Sequence, residues 1–318
     1  MNITGRPVDS AAARNIVWFK EFPKGRFANA AFQFVFARYV ERKLGCTVVL
    51  GDQPKPESAL PSQLFGLPGR PSGAEAAGAQ ASFGPLTLAQ TRRAGPDPDI
   101  ARIRQHFEER PGTVLCVDGY FQYDTQFFKS DPDYAWAFDE FLGGNEAGRT
   151  AFQQILKAYV SQLTAMARGG YLIGLHVRRG DYLTFGTPAG VAGSPFYTVD
   201  LAACVSQVLN FITVNHIAKP FIYVASDDLD YCIDHFARRN ISIVTRKKLL
   251  QATGASELNE LMVDIAALAS ANVVLASNSS LSMLSCLLNR NARVFLRQTP
   301  DGAFLPFDPW ATSVLLGL

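Results

Sequence analysis

The sequence predicts an α/β fold in which short buried strands alternate with helices. The run Tyr171–Leu175 is apolar, short and preceded by two glycines, which is typical of a strand covered on both faces of a sheet. Similar runs recur along the chain, separated by stretches with apolar residues at helical spacing. At 318 residues the chain exceeds one ordinary core, which indicates two domains or one large α/β domain.

The first half of the chain begins with a strand, a helix and a second strand. These elements are predicted at Asn15–Phe19, Ala31–Leu44 and Thr47–Leu50. The loop that opens the helix contains Gly25, Arg26 and Asn29. Backbone N–H groups of such a loop, with the helix N-terminus, are suited to an anion or to an acceptor molecule. The alternative for Arg26 is a solvated loop charge.

Residues 51–98 differ in composition from the segments on either side. Gly, Pro, Ala and Ser dominate there and the periodicity is lost, so a long loop or mobile insertion is predicted. A helix at Ile100–Glu109 and a strand at Thr113–Val117 follow. The aromatic turn after this strand includes Tyr120, whose ring is suited to stack on a sugar or, alternatively, anchors the loop.

The second half repeats strand and helix units. A mostly helical stretch, Tyr134–Ala167, connects the halves, so the expected domains are residues 1–165 and 166–318. Further strands are predicted at Pro220–Ala225, Ile241–Val244 and Asn272–Ala276, and helices from Leu229, over Leu258–Ala271 and over Leu281–Leu288. Polar residues follow three of the strands. Because ligands bind at the carboxyl ends of strands in open α/β sheets, we expect a binding site there.

Two adjacent arginines follow the strand that ends at Leu175. Arg178 and Arg179 stand between His176 and the pair Gly180–Asp181. Arg is suited to bidentate contact with phosphate oxygens, so one arginine can hold a diphosphate while Asp181 fixes the other. The alternative is a surface turn with an internal ion pair, which is about as common for so short a motif.

Acidic and hydroxyl side chains follow two later strands. Ser226 or Asp227 is suited to cap the next helix, which leaves a spare carboxylate, Asp227 or Asp228, for guanine N–H groups or ribose hydroxyls. Four small polar residues precede the last predicted helix: Ser277, Asn278, Ser279 and Ser280. Hydroxyls and free N–H groups at the positive end of a helix favour an anion. Capping alone needs one residue, so the run of four favours a ligand.

Composition and charge argue against several classes of protein. A formal charge of +2, from 30 basic and 28 acidic residues, gives no overall field for nucleic acid, and the run Arg246–Lys248 is more simply a solvated helix start. Five cysteines without metal-ligand spacing are predicted to be reduced core thiols of a cytosolic protein, with no metal site. No signal-like segment or long apolar run occurs. A peripheral contact with a membrane stays open.

Five motifs resemble those of the alpha-1,2-fucosyltransferase family and occur in the same order. They are residues 25–34, 118–122, 176–182, 226–228 and 276–282, with the sequences GRFANAAFQF, DGYFQ, HVRRGDY, SDD and ASNSSLS. Each motif is weak alone, whereas five in order are a strong signal. The similarity covers nearly the whole chain except residues 51–98.

The resemblance implies a GT-B architecture, two Rossmann-like domains facing across a cleft, with no metal or cofactor. It implies an inverting transfer of L-fucose from GDP-β-L-fucose to a hydroxyl of an acceptor glycan, in α-1,2 linkage. Arg178 and Arg179 would offset charge on the GDP leaving group, and Asp181 is the nearest carboxylate for a base. The implied donor-binding residues are His176, Asp227, Asp228, Asn278, Ser279 and Ser280. The implied acceptor-side residues are Gly25, Arg26, Asn29 and Tyr120.

Two other functions stay open at this point. A GT-B transferase for a different nucleotide sugar would use the same diphosphate clamp, so only turnover with a panel of donors separates it from a fucosyltransferase. A non-catalytic protein that binds sugar nucleotides or glycans would bind GDP without transfer or hydrolysis.

Overall fold

The computed structural model describes residues 15–22, 27–52, 86–87, 95–142, 151–180, 183, 198–253, 260–299 and 303–314. The chain divides into two compact units. One unit contains Met1–Tyr123 and Asp131–Phe141, and the other contains Asp124–Ser130 and Leu142–Leu318. Most of the predicted loop at residues 51–98 lies outside the described ranges.

The described strands and helices alternate along the chain. The strands are β1 Ile16–Phe22, β2 Thr47–Asp52, β3 Leu86–Thr87, β4 Val114–Asp118, β5 Tyr171–Val177, β6 Pro220–Ser226, β7 Val273–Ala276, β8 Val294–Gln298 and β9 Phe304–Pro306. The helices are α1 Phe27–Leu44, α2 Asp97–Glu109, α3 Phe127–Ser130, α4 Pro132–Leu142, α5 Ala151–Ala167, α6 Leu201–Val214, α7 Leu229–Ala237, α8 Arg246–Thr253, α9 Glu260–Ser270 and α10 Ser280–Leu288.

The first unit contains a parallel sheet with the strand order β2-β1-β4-β3. Helix α1 is buried along most of its length, and Phe36 stacks on Phe121 with ring centroids 4.3 Å apart. A helix that is apolar on nearly all sides belongs inside a core. The strand-helix-strand start predicted for this half is therefore confirmed.

The second unit contains a sheet with the order β6-β5-β7-β8-β9, in which only β9 is antiparallel among the described strands. Helix α9 packs closely on β5 at Gly174, where a Cβ atom would lie 3.0 Å from Ala271 Cβ and 3.1 Å from Leu268 Cδ2. A larger residue there would push the helix away from the sheet. The α/β class with parallel sheets is confirmed.

The predicted strand at residues 241–244 is wrong. Only Val244 pairs with β6, in an isolated bridge to Tyr223. Helix α8 begins two residues later, at Arg246, so the pairing with β6 does not continue past Val244. The local pattern does not predict α3, α6, β3, β8 or β9, and β3 lies within the predicted loop.

The basic run at the start of α8 is not uniformly solvated. The side chain of Lys247 is 53% exposed, as predicted, and pairs with Asp230. Arg246 is only 17% exposed and contacts Glu260 and Asp264, so the solvated interpretation is wrong for this residue. Its Nη1 also donates to the carbonyl of Ser226 at 2.5 Å. Burial between α8, α9 and the end of β6 explains the difference.

All five cysteines have free thiols, as predicted. Four are buried and Cys116 is partly exposed. Burial raises the pKa of Cys46 to about 12 and that of Cys232 to about 11, so these thiols stay protonated and unreactive at neutral pH. Within the described ranges, no helix combines the length and apolar character needed to cross a membrane.

Candidate functional site

The carboxyl ends of β5, β6 and β7 lie side by side at one edge of the second sheet. Strand β5 pairs in parallel with β6 on one side and with β7 on the other. The order of strands reverses between β5 and β7, so their ends form the topological switch point, where open α/β sheets bind ligands. The three polar motifs predicted at strand ends are therefore brought to one edge.

His176, near the end of β5, connects this strand to the loop after β7. Its ring is buried, and Nδ1 lies 2.7 Å from Ser277 Oγ and 2.6 Å from Ser282 Oγ. The two hydroxyl oxygens are 3.2 Å apart. A buried cluster of this kind fixes the orientation of the imidazole and of both serines. His176 thereby positions the loop that leads into α10.

Asp227 fixes the turn that follows β5. Its carboxylate accepts from Arg178 Nη1 and, at 2.9 Å, from the backbone N–H of Arg179. Gly180 packs against the same carboxylate, since a Cβ atom there would lie 2.8 Å from Asp227 Cγ. A carboxylate from the neighbouring strand thus holds Arg178, while Asp181, expected to hold one arginine, lies outside the described residues.

Arg179 is held on two sides. Its Nε donates to Asp228 Oδ2 at 3.3 Å, and its guanidinium carbon lies 3.8 Å from the centroid of the Tyr231 ring. The ion pair and the cation–π contact together fix the plane of the guanidinium. The terminal nitrogens Nη1 and Nη2 donate to no group among the residues the structure describes. With respect to the described residues, the four N–H donors on Nη1 and Nη2 therefore have no acceptor.

Neither acidic residue of the SDD motif caps the next helix with its side chain. The N-cap of α7 is Asp228, and its carboxylate makes no hydrogen bond to the helix N–H groups. Ser226 Oγ instead accepts from the Asp228 N–H at 2.9 Å. The expected cap by Ser226 or Asp227 is wrong. Asp227 accepts instead from the Arg178 side chain and the Arg179 backbone N–H. Asp228, with a side chain 35% exposed, is the spare carboxylate.

The four small polar residues after β7 have different surroundings. Ser277 Oγ contacts the His176 ring, and Asn278 Oδ1 accepts from Arg297 Nη2 at 2.9 Å. Ser279 caps α10, because its Oγ accepts from a backbone N–H of the first turn at 3.3 Å. Ser280 makes no side-chain hydrogen bond to a described residue. The groups of this loop that are suited to contact an anion are therefore Ser280 and the N–H groups of the first turn of α10.

Arg297, on β8, is a residue of this edge that the motifs do not reveal. Its side chain is buried and donates to the carbonyls of Ser313 and Val314, both at 2.7 Å, as well as to Asn278. Burial lowers its pKa to about 10. The only signal in the sequence is a charged residue inside the apolar run Val294–Gln298.

Two of the expected acceptor-side residues lie in the first unit. Asn29 Oδ1 accepts from Gln122 Nε2 at 2.6 Å. Tyr120 is 41% exposed, whereas Phe121 is fully buried with φ +52°. This left-handed residue points its ring into the core and leaves the preceding ring at the surface. Gly25 and Arg26 lie outside the described residues.

The fold and the site define a class of protein: a doubly wound α/β protein whose second sheet carries arginines and hydroxyls at its switch point. Residues 137–305, more than half of the chain, match the sequence profile of Glycosyl transferase family 11. The chain belongs to this family. The described ranges contain no group of three or more His, Cys, Asp or Glu arranged to hold a metal ion.

Solved structures of fucosyltransferases share the fold. A structure of fucosyltransferase NodZ from Bradyrhizobium is similar with a TM-score of 0.51 at 14% identity, over 93% of this chain and 98% of that chain. At this identity the likeness shows the fold alone, and it confirms the GT-B class. A NodZ alpha-1,6-fucosyltransferase co-crystallised with GDP has a TM-score of 0.48 at 16% identity, with the same coverage. By sequence, no curated protein matches the chain.

Proposed function

We propose that this protein is an inverting fucosyltransferase that moves L-fucose from GDP-β-L-fucose to a hydroxyl of an acceptor glycan, in α-1,2 linkage. Membership of Glycosyl transferase family 11 supports the reaction class, and the five ordered motifs support the donor and the linkage. The observation that carries the proposal is Arg179, which Asp228 and Tyr231 hold in place while its terminal nitrogens bind no described group.

The diphosphate of the donor is proposed to lie against Arg179 and the N-terminus of α10. Terminal N–H groups of a fixed guanidinium suit bidentate contact with phosphate oxygens. Ser280 and the helix N-terminus add a hydroxyl, N–H groups and a favourable dipole. Arg178 and Arg179 would stabilise the charge that develops on the leaving GDP, since such groups act best when preorganised. This role needs no metal ion.

The guanosine of the donor is proposed to contact Asp228. Guanine presents N1–H and an exocyclic amine side by side, whereas uracil presents a single ring N–H. The Asp228 carboxylate, whose Oδ2 also accepts from Arg179 Nε, would accept from these two groups. Asp228 suits this role better than Asp227, because Asp227 already accepts from Arg178 and from the Arg179 backbone. His176, Asn278 and Ser279 would support the donor from the side of β7.

The acceptor glycan is proposed to bind on the side of Gly25, Arg26, Asn29 and Tyr120. The exposed Tyr120 ring offers an apolar face to the C–H surface of a sugar. Asp181 is proposed as the base that takes the proton from the attacking hydroxyl.

A panel of donors and nucleotides tests the proposal. Thermal shifts with GDP, UDP, dTDP and CMP should show the largest stabilisation by GDP. Incubation with GDP-fucose, GDP-mannose and UDP-galactose should show fucose release or transfer only, with the linkage read by NMR of the product. Stronger stabilisation by UDP than by GDP would contradict the proposal that GDP-fucose is the donor. Tight GDP binding without hydrolysis or transfer to any glycan tested would indicate a binding protein instead.

A further inference from the structure

Arg178, Arg179 and Arg297 lie at the carboxyl edge of the second sheet, and Arg297 differs from the other two in its charge balance. Arg178 and Arg179 each have a carboxylate within ion-pair distance, from Asp227 and Asp228. In the part of the chain that the structure describes, Arg297 has no carboxylate partner. Among the described residues, its Nη groups donate to neutral oxygens and its buried Nε has no hydrogen-bond partner. Its guanidinium carbon lies 5.7 Å from the centroid of the Phe307 ring.

A charge in this environment is unfavourable for the protein alone. The Arg297 side chain is 3% exposed, and burying a cation without a counter-charge costs free energy. With a pKa of about 10, the guanidinium stays charged at neutral pH. It keeps this charge although burial opposes it.

The buried charge lies directly behind the loop that leads into α10. Arg297 pairs in register with Ala276, the last residue of β7, and its Nη2 donates to Asn278 at 2.9 Å. Asn278 immediately precedes Ser279, the cap of α10. A positive side chain and the positive end of a helix dipole therefore lie together. Both are stabilised by an anion at the helix N-terminus.

We propose that Arg297 is a positioning residue for the donor diphosphate, which it attracts through its buried charge and through Asn278, without touching the ligand. This inference rests on the proposed function and deepens it, because it adds a buried charge, outside the groups proposed to contact the ligand, that favours a diphosphate over a bare nucleoside. Arg297 lies outside all five motifs, so the family resemblance does not assign it.

The first test is the variant Arg297→Gln, which removes the charge. Affinities for GDP and guanosine are measured by calorimetry or by competition. We expect GDP binding to weaken at least tenfold while guanosine binding changes less than threefold. The matched control Lys247→Gln removes an exposed positive charge of the same unit and should change neither affinity. Equal loss of GDP and guanosine in Arg297→Gln would mean that Arg297 acts on the fold only, which overturns the inference.

A second variant serves if Arg297→Gln does not fold. Asn278→Asp keeps the shape of the side chain and places a carboxylate on Arg297 Nη2. We expect a higher melting temperature, because the buried charge gains a partner, together with a tenfold weaker GDP affinity and unchanged guanosine affinity. A lower or unchanged melting temperature would overturn the inference. Wild-type protein that binds no nucleoside diphosphate would instead overturn the proposed function.

Discussion

At the scale of single residues, the structure gives different contacts to two adjacent carboxylates that the SDD motif does not distinguish. Asp227 and Asp228 are adjacent in sequence, but one accepts from Arg178 and from the turn backbone and the other holds Arg179 by a single contact. The first is suited to a structural role. The second has a side chain that is 35% exposed and is therefore suited to contact a ligand.

The variants Asp227→Asn and Asp228→Asn test this separation. Asp227→Asn should lower the free energy of unfolding by about 3 kcal/mol, because it removes the carboxylate that pairs with the largely buried Arg178. Asp228→Asn should leave stability nearly unchanged and weaken GDP binding. Denaturant unfolding and calorimetry measure the two effects. Equal destabilisation by both variants would contradict the assignment.

The arginines should be needed for transfer. We expect Arg179→Ala to lower kcat/KM for fucose transfer about a hundredfold or more, because it removes preorganised donors to the leaving diphosphate. Arg178→Ala should lose activity similarly and should also destabilise the fold, since Asp227 loses its ion pair with the Arg178 guanidinium. Steady-state kinetics with GDP-fucose gives both values, with Lys247→Ala as the control. Rates near wild type in both arginine variants would refute the role.

At the scale of elements, α8 and α9 support the end of β6. Arg246 at the start of α8 donates to the Ser226 carbonyl and, at 2.8 Å, to Asp264 Oδ2 of α9. Tyr223 OH of β6 donates to Asp264 Oδ1 at 2.8 Å. This buried cluster fixes Ser226, which directly precedes Asp227 and Asp228. The site therefore depends on contacts between three elements.

The cluster should give stability a characteristic pH dependence. Burial raises the pKa of Asp264 to about 6, although the Arg246 guanidinium opposes the shift. The folded protein then holds this proton more tightly than the unfolded chain, so the contribution of Asp264 to the free energy of unfolding rises as pH falls from 7 through 6. The free energies of unfolding of wild type and of Asp264→Asn are measured at several pH values. As pH falls from 7 through 6, the value for wild type should rise relative to that for the variant.

Asp133 provides a control, because its contribution to the free energy of unfolding should change with pH in the opposite direction to that of Asp264. Hydrogen bonds from Arg42 and Lys43 lower its pKa, so its contribution is present at neutral pH and is lost as pH falls through that lowered pKa. The difference between wild type and Asp133→Asn should therefore shrink in acid. Parallel pH curves for wild type and Asp264→Asn would contradict the prediction.

At the scale of the whole molecule, the chain has two compact units, and the proposed donor residues all lie in the second. A ligand that binds only the folded state stabilises what it binds. The free thiols report on each unit separately. Cys46 belongs to the first unit, and Cys204, Cys232 and Cys286 belong to the second.

GDP should therefore slow labelling of some thiols more than others. With saturating GDP, we expect alkylation of Cys204, Cys232 and Cys286 to slow at least tenfold, because labelling requires opening of the unit that binds the nucleotide. Alkylation of Cys46 should change little. Mass spectrometry of the labelled peptides measures all four rates. Equal slowing at Cys46 would contradict the prediction.

The local sequence determined most elements of this protein and the place of its site. Apolar runs with glycine or polar ends identify β1, β2, β4, β5, β6 and β7, because buried parallel strands are apolar throughout. Polar residues after three of them identify the binding edge, because ligands meet strand carboxyl ends. The residues that carry the resemblance, among them Arg178, Arg179 and Asp228, are local in sequence too.

Only the tertiary structure decided which polar side chains of the site pair with other residues of the protein. Asp227 and Arg178 are 49 residues apart in sequence, and no local pattern records that they pair. Nor does it record that Arg246 is largely buried, that residues 241–244 form only one isolated bridge, or that Arg297 donates to Asn278. Pairing, burial and charge balance depend on which strands become neighbours, and that order is set by packing of the whole sheet rather than by the residues at any one position.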